Sequence, residues 1–172
     1  MFVHGGAALV VSPIKRAGHG KKCHAAAVAL MELANAHDTY APWAHMTLAG
    51  FALTLSSQPW IVRRALTLLL FKAPAASTEV PQNEFEAALH HARAALEHCD
   101  WAERQGDRFA ATVRATSLLH LGEALQRNNE HDCAKNAYLE AIRVVGRAAR
   151  LQRFFGIHAE ARTQAELRLD LL

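Results

Sequence analysis

Cysteine is scarce in this chain. The three that occur, Cys23, Cys99 and Cys133, are odd in number and far apart. That excludes a disulfide framework and suits a reducing compartment, cytoplasmic or otherwise intracellular. Proline (5) and glycine (9) are also few, so long stretches run without a backbone breaker. No apolar run reaches the roughly 18–20 residues that a membrane span requires. The longest candidates, around Met46–Leu55 and Ala65–Phe71, are short and divided by Arg63 and Arg64. A phosphate-cradling loop is missing as well, because Gly18-x-Gly20-Lys21-Lys22 lacks both the full spacing and the hydroxyl after lysine. There is no dense Lys/Arg tract interleaved with aromatics, so RNA binding is only a secondary expectation.

What remains is material for helices. Hydrophobic residues make up 51% and charged residues 20%, a balance that permits a packed core. Alanine is abundant; it is the best helix former and lets helices approach closely. The net charge of +3 is unevenly spread: residues 1–80 carry seven Lys/Arg against three Asp/Glu, and residues 81–172 twelve against thirteen. The first residues lack the pattern of a secretory signal. They are acid-free up to Glu32 and carry Lys15, Arg16, Lys21 and Lys22, which keeps a mitochondrial transit segment as an alternative.

Periodicity and punctuation divide the chain. Residues 1–20, with Gly5-Gly6, Pro13, Gly18 and Gly20, read as a flexible or extended arm. Residues 21–72 form the N-terminal helices. Ala27, Leu30, Met31 and Ala34 give one helical stripe, and Pro42 in a first turn starts a helix bearing Trp43, Met46, Gly50, Phe51 and Leu55. A shorter apolar helix spans Ile61 to Phe71. Residues 73–83 are a linker, where Pro74 and Pro81 forbid a continuous helix.

Asn83 and Glu86 then form a capping pair for a helix to about Gln105, with Phe85, Ala88, Leu89, Ala92, Ala95, Leu96 and Cys99 on its buried side. Gly106 suits a left-handed cap, Asp107 opens a helix to about Arg127, and Asn128-Asn129-Glu130 breaks it. Asp132 opens another to about Ala148. Helical sequence closes the chain from Ala149 to Leu171. No stretch alternates as a strand does, so the fold class is all-α, built of antiparallel helix hairpins.

Leu118, Leu121, Gly122, Leu125, Ala134, Tyr138 and Ala141 together resemble the tetratricopeptide repeat, in its longer-helix variety with Gly-Asp joining successive hairpins. The resemblance is carried by residues 115–148 and extends over 84–160. Advancing Leu121-Gly122 by the period of about 34 residues reaches Phe155-Gly156, a second large-apolar and glycine pair. Small residues at the crossing of two helices and large ones between hairpins make physical sense independently. The resemblance implies a short solenoid over residues 84–172, closed by a C-terminal capping helix. It also implies a protein–protein adaptor or scaffold with a groove for a protein or peptide segment. A helical subunit of a ribonucleoprotein or organellar complex is the alternative.

Under that resemblance the groove wall comprises Thr116, Leu119, Glu123 and Gln126, joined by Arg150 and Arg153. Arg143, Arg147, Arg150 and Arg153 follow one helical side, a strip suited to an acidic segment because guanidinium forks pair with carboxylates. The apolar stretch around Trp43–Phe71 adds homodimerisation to the expectations.

Catalytic and metal readings fare worse. Eleven histidines include the pairs His90-His91, His98-Cys99 and His131-x-Cys133, but adjacent helical residues point about 100° apart. His91 and His98 share a face yet lie about 10 Å apart along the axis, so they do not share an ion. Cys99 lies in an apolar stripe rather than an electropositive pocket, which reads as core rather than nucleophile. No catalytic residue, metal or cofactor is expected, and the chain is read as a non-enzyme.

Overall fold

A computed structural model of the chain describes residues 22, 25, 26, 29, 32, 40–59, 61, 84–107, 110–149 and 155–172. The expected N-terminal arm, most of the first helix, nearly all of the Ile61–Phe71 helix, the linker, Arg150 and Arg153 lie outside the described residues. Among the described residues there are five helices and no strand: α1 Ala41–Ser56, α2 Glu84–Arg104, α3 Ala110–Arg127, α4 His131–Ala149 and α5 Phe155–Leu169.

Local chemistry accounts for the boundaries. Pro42 sits in the first turn of α1, where its missing N–H costs nothing. Within α1 the hydroxyls of Thr47 and Thr54 donate to the Trp43 and Gly50 carbonyls at 2.8 Å, so neither needs another partner in this apolar helix. Helix α2 ends in a Schellman cap at Gly106, whose φ is 78°. Asp107 N–H donates to the Ala102 carbonyl at 3.0 Å and Gly106 N–H to the Glu103 carbonyl at 3.0 Å. The same cap closes α3, with Asn129 (φ 62°) at the left-handed position. There Glu130 N–H reaches the Leu125 carbonyl at 2.9 Å and Asn129 N–H the Gln126 carbonyl at 3.1 Å. Both caps turn the chain back within a few residues, so α2, α3 and α4 pack as antiparallel neighbours.

The packing order is simple. Each helix packs on the next along the chain, and α3 packs additionally on α1 and on α5. The result is an all-α stack in which α1, α3 and α5 follow one another as a row. The principal core lies between α3, α4 and α5: Ala115, Leu118, Leu125, Ala134, Tyr138, Ala141, Val144, Val145 and Ala165. Two smaller clusters tie α1 to α2 and α3. One joins Met46, Ala95, Cys99 and Val113 with Trp43 against them, and the other joins Ala52, Leu53, Ala88 and Ala124. No helix among the described residues is long and apolar enough to cross a membrane.

Gly122 shows why small residues occupy the crossings. A Cβ built there would lie 2.4 Å from the Tyr138 ring, a separation that side-chain carbons do not adopt. Tyr138 is fully buried, and its hydroxyl donates to Gln126 Oε1 at 2.9 Å, so the ring is fixed at both ends. Burial pushes the Tyr138 hydroxyl up to about 12, against the opposing influence of Arg168, so it remains a proton donor. The residues that carry the repeat resemblance thus meet across one helix pair, with Leu121 at the margin of the same core.

Candidate functional site

Two arrangements invite a functional reading: the row face along α3, and a group of histidines between α1 and α2. On α3, Thr116 and Leu119 are half-buried, Leu119 against the principal core. Glu123 is paired with Arg127 of its own helix and, at 3.2 Å, with Arg168 of α5. Gln126 accepts the Tyr138 hydroxyl. The structure therefore brings Thr116, Leu119, Glu123 and Gln126 onto one helix, but engages Glu123 and Gln126 within the chain. Arg127 continues the network to α1: its Nη1 donates to the Leu53 carbonyl at 3.0 Å and to Ser56 Oγ at 2.6 Å. One guanidinium thus caps the carbonyl end of α1, where a cation also suits the helix dipole.

Of the arginine strip, Arg143 and Arg147 are exposed on α4, and Arg143 bonds Glu140 at 3.0 Å. Arg150 and Arg153 are the strip members outside the described residues. Elsewhere Arg114 of α3 clasps two carboxylates of α2, bonding Glu103 at 2.8 Å and pairing with Asp100. This clasp lies close to Cys99, which is buried between Met46 and Val113. Burial pushes the Cys99 thiol up to about 12, outweighing the opposite pull of Arg114. At neutral pH it is a protonated core thiol and a poor nucleophile.

The histidine group has a geometry that helix spacing on α2 did not disclose. His91 and His98 do lie a double turn apart, and His45 of α1 fills the gap between them. The His45 ring is stacked on His98 with centroids 5.4 Å apart and planes 15° apart, and lies 5.2 Å from His91. His45 Nδ1 and His91 Nδ1 are 3.0 Å apart, a hydrogen bond that requires one protonated and one unprotonated nitrogen. His90 completes the group at 6.4 Å from His45, edge to face. His45 is only 7% exposed. Burial first, then His91, His98 and His90, bring its pKa down to about 4.

His45 and His91 meet nitrogen to nitrogen, whereas His98 and His90 meet His45 by face and by edge. No group of three or more His, Cys, Asp or Glu among the described residues is placed to hold a metal ion. A second histidine sits on the other side of α1. His120 of α3 is half-buried over Gly50, where a Cβ would lie 2.8 Å from its Cε1, and it hydrogen-bonds the Met46 backbone. Its Nδ1 is buried with no hydrogen-bond partner. Burial lowers its pKa, with Glu123 and the Met46 bond acting in the other direction.

Neither His45 nor His120 was singled out from sequence. One signal for His45 was present, since Ala41, His45, Leu48, Ala52 and Leu55 recur at helical spacing and all are buried. Comparison with protein-family models, with curated proteins and with solved structures finds no match to the chain.

Proposed function

We propose that this chain is a non-enzymatic protein–protein interaction adaptor of tetratricopeptide-like design, which receives an extended, acidic partner segment. The observation that carries this reading is the packing order: each helix packs on the next, and α3 also packs on α1 and α5, so that α1, α3 and α5 form a row. Such a stack offers an elongated face made from alternate helices, the kind of surface helical solenoids use for binding. The meeting of Gly122 with Tyr138 and the clustering of Leu118, Leu125, Ala134 and Ala141 support the repeat reading. Arg150 and Arg153 supply the charge that selects an acidic segment, whereas Arg143 and Arg147 lie on α4, outside the row. Thr116 and Leu119 are the row-side contacts, whereas Glu123 and Gln126 hold the wall in shape.

The test is a titration of a fluorescently labelled glutamate-rich peptide into the purified chain, alongside the double charge reversal Arg150→Glu and Arg153→Glu. Saturable binding that weakens by at least about tenfold in the variant is expected, since each lost charge-assisted pair contributes roughly 1.5–3 kcal/mol. Equal binding by both proteins removes the arginine strip from the function. Retention on RNA that falls steeply with salt, with no peptide binding, would favour the ribonucleoprotein alternative.

A further inference from the structure

We infer that α1 is latched to the stack by the packing of His45 against the α2 histidines, and that its N-terminal half is released when His45 takes up a proton. The inference is independent of the adaptor reading and concerns the fold itself. Helix α1 contains no Asp, Glu, Lys or Arg, so its one titratable side chain is His45. That ring is wedged between His91 and His98 of α2, with His90 beside them. Burial, and then the neighbouring His91, His98 and His90, lower its basicity. A proton added here is therefore buried against three other histidine rings.

The Nδ1–Nδ1 bond sets a limit on how much charge the pair can hold. A single proton between the two nitrogens is compatible with the 3.0 Å separation; two protons facing one another are not. On the α3 side, His120 presents its ring to the α1 backbone at Met46 and Gly50 and keeps a buried, unbonded Nδ1. A proton at that nitrogen would likewise be buried without an acceptor, and Glu123, whose charge favours it, is already held by Arg127 and Arg168. Arg127 keeps its charge at any of these pH values and keeps its grip on the Leu53 carbonyl and Ser56. The C-terminal end of α1 therefore stays anchored while the end bearing Trp43, His45 and Met46 lifts.

The direction with pH follows from linkage. The His45 pKa in the folded chain lies below the ordinary histidine value of 6.5. The latch is at full strength above about pH 6.5, weakens as the pH falls, and is lost on approach to about pH 4.

Cys99 and Cys133 provide a reporter within the chain. Cys99 is buried under Met46 and Trp43, whereas Cys133 is exposed on α4. The test measures labelling of both thiols by a pyridyl disulfide that reacts in acid, read by peptide mass spectrometry as the Cys99:Cys133 ratio. Cys133 corrects for the reagent's own pH dependence. Between about pH 7.5 and about pH 4.5 the ratio is expected to rise at least about tenfold, while α4 amides keep their hydrogen-exchange protection. In His45→Phe the ratio is expected to stay flat. Should that variant not fold, His91→Gln with His98→Gln is expected to shrink the response. A flat ratio in the natural chain, an undiminished response in whichever variant folds, or simultaneous loss of α4 protection each overturns the latch.

Discussion

At the residue scale, the contact between Gly122 and Tyr138 decides how closely α3 and α4 approach. Because Tyr138 is buried and its hydroxyl is bonded to Gln126, the ring has nowhere to retreat from an added methyl group. Gly122→Ala improves intrinsic helix propensity by about 1 kcal/mol, yet overpacking costs about 1–3 kcal/mol and outweighs it. A net loss of stability is expected by urea denaturation, whereas a gain would mean the helices are further apart than described. Tyr138→Phe keeps the ring and removes one hydrogen bond while orphaning a Gln126 oxygen. A loss of about 1 kcal/mol is expected from the same measurement. Both residues were legible in the sequence, because a glycine and an aromatic at the repeat's spacing are a local signal. The histidine latch was not. Its partners, His45 and His91, are separated by 46 positions, and no periodicity within one helix reports what the facing helix inserts.

At the element scale, the helix boundaries were the most legible feature. Asn83, Gly106, Asp107 and Asn128-Asn129 mark ends that fall within a few residues of those observed for α2, α3 and α4. The reason is chemical: capping needs particular side chains and left-handed residues at fixed offsets. Asn129 offers a test. Its φ of 62° suits glycine better than asparagine, so Asn129→Gly is expected to stabilise the chain slightly, by roughly 0.5 kcal/mol. Asn129→Ala is expected to destabilise it by about 1 kcal/mol or more. The opposite order in thermal melts would contradict the Schellman assignment.

Helix α1 was harder to orient from sequence, since it is apolar nearly all round: of the side read as Trp43, Met46, Gly50, Phe51 and Leu55, Met46 and Leu55 are buried and the other three only half-buried. Its C-terminal tie to Arg127, 74 positions from Leu53, was equally hidden. Arg127→Met keeps the aliphatic stem and is expected to cost about 1–2 kcal/mol, with faster amide exchange in the last turn of α1.

At the scale of the whole molecule, the stack is a chain of local agreements. Alanine at 88, 92 and 95 repeats at α2 what Ala134, Tyr138 and Ala141 do at α4, with small residues buried wherever backbones approach. The larger Tyr138 marks where the principal core needs volume, and Cys99 shows how a small hydrophobe fills the lesser one. The repeat resemblance implied a solenoid over residues 84–172 only, so a row that includes α1 was not anticipated. The engagement of Glu123 and Gln126 within that row was not anticipated. Their polar atoms read as an open wall in sequence, but the binding partners of a side chain depend on what the next hairpin places above it.

The most direct test of the adaptor reading is site-specific photo-crosslinking to a glutamate-rich peptide. A photoreactive residue is placed at Thr116, half-buried on α3 and a contact residue in the proposal, and separately at Lys135, exposed on α4. Adducts from position 116 that are competed by unlabelled peptide, with none from position 135, are the expected result. Adducts from position 135 alone, or from neither position, would contradict the assignment of the row as the interaction surface.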